Sequence, residues 1–96
     1  MAYGTGTTTI DFGVWPGSNE ASVAVTGQAS IAAVSNAEAF MMAEASGSHT
    51  IADATYAASF VTLTCSVPTP AVGFTIYARA QYTLTGTYAL RWVWSD

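Results

Sequence analysis

The sequence predicts an all-β fold: a small antiparallel β-sandwich of about six strands, of a jelly-roll or H-type-lectin-like kind. Two observations carry this expectation. The apolar and β-branched residues fall in short runs that alternate with polar ones, and Gly- or Pro-containing turn segments separate most of the runs. A third observation is the closing run, where Tyr88, Leu90, Trp92 and Trp94 alternate with Ala89, Arg91, Val93 and Ser95. In an extended strand this places four large side chains on one face.

Taken in chain order, "TTTIDF" (7–12) is rich in β-branched residues and reads as the first strand. "WPGS" (15–18) has Pro second and Gly third, the order of a type II turn. "ASVAVT" (21–26) puts Val23 and Val25 on one face. "SNAEAFMMAEA" (35–45) has two readings. Ser35 and Glu38 form a capping-box pattern ahead of helix-favouring residues. As a strand, the same stretch divides Phe40 and Met42 from Ala39, Met41 and Ala43. Short Ala-rich segments in all-β domains are often overridden by their neighbours, so a strand is expected. "FVTLTCSV" (60–67) alternates, and "PTPAVG" (68–73) is a loop because proline cannot donate to a ladder. "FTIYAR" (74–79) and "TYALRWVW" (87–94), joined by "AQYTLTG", are expected to form a long-looped hairpin. In it, Phe74 and Ile76 face Leu90 and Trp92 across the hairpin or sheet.

The length suits a single domain over residues 1–96, able to bury roughly 65% of its unfolded surface. Hydrophobic residues make up 51% and charged ones 8%, with no lysine. Free surfaces carry more charge than this, so part of the surface is expected to be covered by other subunits. A surface made polar by Thr, Ser and Gly is the alternative. The net charge is −4, and the basic groups are Arg79 and Arg91 alone. Two arginines cannot form a phosphate-binding patch, which excludes nucleic acid as an expected partner and argues against anionic membranes. Residues 54–78 lack charge, but Pro68, Pro70 and Gly73 break the run, so no membrane insertion is expected. "MAYGTGTTT" has no basic and apolar leader pattern. The single Cys65 excludes an internal disulfide and reads as a buried, inert thiol.

Chemistry-bearing groups are few. Glu44, His49 and Asp53 would bind a divalent cation if their loop folded back on itself, although a solvated polar loop is the simpler reading. The glycines of "YGTGTTT" precede a strand and lack a following Lys, so they are no phosphate loop. Arg79 and Arg91 are each expected in a structural ion pair with Glu or Asp, with stacking on an aromatic, a contact to a neighbouring subunit or a ligand anion as the alternatives. No catalytic residue and no cofactor is expected. The ligand or interface candidates are Trp15, Ser48, His49, Tyr82 and Trp94. Trp15 and Tyr82 are aromatics in turn-like positions, and Trp94 is surplus aromatic surface near the end of the chain.

The block "TTTIDFGVWPGSNEASVAVTGQ" (7–28), followed by "GFTIYAR" and the terminal "RWVW", resembles a group of small tailed-bacteriophage virion proteins. The resemblance covers nearly the whole chain. Its most specific part begins at Trp15, where the family pattern has Phe. The middle loop departs from the pattern in being poorer in Asp and His, so no family site is carried onto it. The second half is similar, more weakly, to H-type lectin domains, which are trimeric six-stranded antiparallel sandwiches. Together these resemblances imply a non-enzymatic virion protein, assembled in the bacterial host cytoplasm. It would be a homotrimer among other phage virion proteins, serving as a tail-fibre component or one that contacts a host-surface glycan or receptor. A capsid decoration (cement) protein stabilising the head is the alternative reading, and a lectin-like glycan-binding module the second.

Overall fold

A computed structural model describes residues 3–14, 16–42, 44–45 and 49–95. The chain runs β1 (Tyr3–Asp11), β2 (Ser18–Val25), β3 (Asn36–Met41), α1 (Ile51–Ala58), β4 (Val61–Cys65), β5 (Phe74–Leu84) and β6 (Thr87–Ser95). Two antiparallel three-stranded sheets result, ordered β1-β6-β3 and β2-β5-β4. This is the small all-β sandwich that the alternation predicts, with one short helix added.

The alternation of β6 holds along its whole length. Tyr88, Leu90, Trp92 and Trp94 point inward and are all buried. Facing them from the other sheet are Phe74, Ile76 and Ala78 of β5, with Val25 of β2 beside them. The Phe74 and Trp92 rings meet edge to face, with centroids 5.7 Å apart. Their contact is therefore made between the two sheets. The expected β5–β6 hairpin does not form, because the two strands belong to different sheets. Most of "AQYTLTG" continues β5 to Leu84, leaving a tight connection at Thr85 and Gly86. With inward-facing side chains on both runs, separate sheets enclose a core that a flat hairpin would leave half open.

Residues 36–41 form a strand, as expected. Ala37, Ala39 and Met41 turn to the core and Phe40 turns outward, which is period-two packing against β6. The capping-box pattern at Ser35 is not used for a helix. Ser35 instead accepts from the Ala32 amide and closes a turn. On the opposite edge, β1 brings Gly4 beside Trp94 and Gly6 beside Trp92. A Cβ on either glycine would run into the indole ring, so the missing side chains make room for the two tryptophans.

Candidate functional site

The strand directions gather the β1–β2 loop, the β3–β4 connection carrying α1, and the β5–β6 turn at one end of the sandwich. The main chain ties two of these together. Phe12 N donates to Gly86 O at 3.0 Å, and Gly86 N donates to Gly13 O at 2.8 Å. Gly17 N donates to Val14 O at 2.7 Å, and Gly17 takes the left-handed φ of 83° that glycine tolerates; the expected turn over 15–18 includes Trp15, which lies outside the described residues.

The β3–β4 connection is anchored by His49. Its ring lies flat on Tyr88, with centroids 4.1 Å apart and planes within 11°. Phe12 closes on the same tyrosine edge to face at 5.9 Å. A carbonyl can only accept, so His49 Nε2 donates to Thr85 O, at 2.5 Å. His49 Nδ1 lies 3.5 Å from Asp53 Oδ2, an ion pair when the ring is protonated. Burial first, and the Asp53 charge second, push the Tyr88 phenol up, so Tyr88 stays neutral near pH 7.

Where a polar loop is expected, α1 begins. Thr50 caps it: Thr50 Oγ1 accepts from Asp53 N at 3.3 Å, and Asp53 Oδ2 accepts from Thr50 N at 3.1 Å. The Thr50 amide is the main cause holding the Asp53 carboxyl below its ordinary range, opposed by partial desolvation and helped by His49. Ala54 and Ala57 bury the inner side of the helix. This helix is legible in hindsight from "TIAD", a capping box followed by inward alanines at i and i+3.

The expected site residues are distributed as follows. Trp15 and Ser48 lie outside the described residues. Pro16, Gly17, His49, Thr83, Leu84, Thr85 and Tyr88 line one open depression of about 710 Å³. The chain neighbours of Trp15, Ser48 and Tyr82 thus meet around one hollow. Tyr82 lies on β5 rather than in a loop and is 62% exposed. Its ring meets Phe60 at 5.3 Å, and Phe60 meets Tyr56 at 5.2 Å, both edge to face. Tyr56 and Phe60 were missed as site residues, since their adjacency to Tyr82 depends on α1.

Trp94 corrects the sequence reading. It is 2% exposed, and its Nε1 donates to Gln28 Oε1 at 3.0 Å, so it is core rather than surplus surface. Strand parity places it inward with Trp92. Glu44 does not join His49 and Asp53: among the described residues no three His, Cys, Asp or Glu side chains are grouped as metal ligands. Cys65 is half-buried against the core, and burial with the nearby Glu38 charge pushes its thiol up.

A second open surface covers the outer face of β2-β5-β4. Glu20, Arg79 and Thr62 form one cross-strand rank, and Ser22, Tyr77 and Thr64 the next. Arg79 pairs with Glu20 at 2.5 Å, the kind of ion pair expected for both arginines. Arg91 lies exposed on the other sheet, so the two cations do not form a common patch. Among the described residues, no helix is long and apolar enough to cross a membrane. Comparison with protein-family models, curated proteins and solved structures finds no match.

Proposed function

We propose that this protein is a non-enzymatic bacteriophage virion component. It works as a homotrimer on the particle exterior, in a tail fibre or at a receptor-contacting position, with the loop end of the sandwich as its contact surface. The observation that carries this reading is the convergence at that end. Exposed Tyr56 and Tyr82 stand around Phe60, and a depression at the same end of the sandwich is lined by Thr83, Thr85 and His49. Aromatic faces next to hydroxyl and imidazole groups suit a glycan or a protein loop on a host surface. The six strands in two antiparallel sheets agree with what the lectin-like resemblance implies. Sparse charge and the absence of lysine suit a chain that spends its life among other subunits. Each copy can bind weakly, because several copies on one particle raise avidity without new contacts.

The test is adsorption. Purified protein is expected to bind cells of the phage host and to compete with phage for them. Tyr82→Ala should weaken binding while leaving the melting temperature nearly unchanged, since the ring is mostly exposed. Protein that ignores cells but binds empty capsids and raises their heat resistance would overturn the tail reading in favour of head decoration. Binding to isolated glycans without any attachment to particles would favour the free lectin-like module.

A further inference from the structure

We infer that the free edge of β1 is a docking surface for a second copy of this chain, the two β1 strands pairing antiparallel about a twofold axis at Thr7. This contact does not depend on the proposed host-binding role. β1 hydrogen-bonds to β6 on one side, and among the described residues no strand lies on its other side. Exposed edges are normally blocked by charge, proline, a bulge or shortness. The other three edges are blocked in these ways. β2 carries Glu20 and a register shift between Ser18 and Glu20, β3 carries Glu38 at its middle, and β4 has only 5 residues. β1 has 9 residues in unbroken register, no proline, and no charge from Tyr3 to Ile10.

The identity of the partner follows from self-complementarity. Rotation about Thr7 is the register that pairs all 9 residues of two β1 strands. It keeps core-facing positions opposite core-facing positions, as strand parity demands. Gly4 then lies beside Ile10 of the partner copy, and Gly6 beside Thr8. On the outer face Thr5 meets Thr9 and Thr7 meets its own copy, cross-strand pairs that stabilise sheets. Each Asp11 faces Tyr3, so no like charges are opposed. The product is one continuous sheet ordered β3-β6-β1-β1-β6-β3. Alone this contact makes a dimer, and combined with a threefold contact it joins trimers in pairs.

The experiment uses the full chain with Cys65→Ser as background. Thr7→Cys places two thiols directly across the axis, at a Cα separation of about 4.5–5.5 Å, within disulfide range. Thr5→Cys leaves its two copies offset by roughly 13 Å, too far to bridge. Under mild oxidation Thr7→Cys should give nearly complete covalent dimer and Thr5→Cys almost none. Light scattering of the wild type should give an even number of copies. Thr7→Lys should halve that mass while the circular dichroism spectrum stays that of a folded chain. A monomeric or odd-numbered wild type would overturn the inference, as would equal cross-linking of the two cysteine variants. Should Thr7→Lys fail to fold, the cross-linking pair decides alone.

Discussion

Replacing Trp92 with Ala removes the largest side chain at the centre of the sandwich. Trp92 is 8% exposed, packs edge to face on Phe74 and lies over Gly6. A buried tryptophan hides about 150–250 Å², and at ~25 cal/mol per Å² this is roughly 4–6 kcal/mol of transfer free energy. Extended-chain areas overstate burial, and measured Trp→Ala changes cluster at about 3–5 kcal/mol, which is the expected loss here. For a chain of this size each kcal/mol lowers the melting point by roughly 4–8 °C, so a drop of at least about 12 °C is expected. The structure supplies an internal control. Gly6→Ala alone drives a methyl into the Trp92 ring, at an expected cost of about 1–3 kcal/mol for overpacking. In the Trp92→Ala background that methyl meets open space, and most of its cost should vanish, a coupling readable in a double-mutant cycle. Thermal and denaturant melts followed by circular dichroism measure all four proteins. Additive losses, or a Trp92→Ala protein that melts with the wild type, would refute the packing of the Trp92 ring over Gly6.

The N-cap of α1 gives a pH prediction. The Asp53 pKa is lowered in the folded chain from its ordinary value of 3.8, so its contribution is present above that value and is lost as pH falls through the folded value. Asp53→Asn should flatten the acid limb of melting temperature against pH, while Thr50→Ala should cost about 0.5–2 kcal/mol at neutral pH; an unchanged acid limb would break the cap assignment. Because burial raises the Cys65 pKa, iodoacetamide at pH 8 should label the native thiol far more slowly than the denatured one, and equal rates would place Cys65 at the surface. Chelation with EDTA should leave the melting temperature where it is, and a fall reversed by Ca²⁺ or Zn²⁺ would mean that Glu44 does join His49 and Asp53.

Much of the sandwich was legible because period two is a local property. The face assignment of β6 needs only its own nine residues, and Val23 and Val25 of β2 sort the same way. What failed was pairing. Two consecutive strand-like runs suggest a hairpin, yet partner choice depends on which arrangement buries both inward faces. Phe74, Ile76 and Ala78 on one run and Leu90, Trp92 and Trp94 on the other are all core residues. Two such runs in one sheet would need a further apolar layer to cover both inward faces. Separate sheets let each serve as the other's cover. The fate of Trp94 belongs to the same logic. Nearness to the end of the chain suggested exposure, but parity and the Gln28 side chain over its Nε1 keep it inside.

The site was legible in its parts and opaque in its assembly. His49 and Tyr82 were singled out as polar or aromatic groups in an apolar chain, but the partners that define their environments are distant in sequence. His49 rests on Tyr88 and Thr85, and Tyr82 on Phe60 and through it Tyr56. Both sets depend on α1, and α1 was missed because its capping box stands inside a polar stretch without the apolar periodicity that marks a longer helix. Once α1 is placed, one physical reason accounts for the whole end of the molecule. The buried alanines at 54 and 57 fix the helix on the core, which leaves Tyr56 outside it near Tyr82. His49, stacked on the neutral Tyr88, fixes where the segment enters. Ring contacts of this kind hold the aromatic side chains in place, which would lower the ordering entropy lost on binding a partner. In the proposed virion role, that pre-organisation would serve every copy.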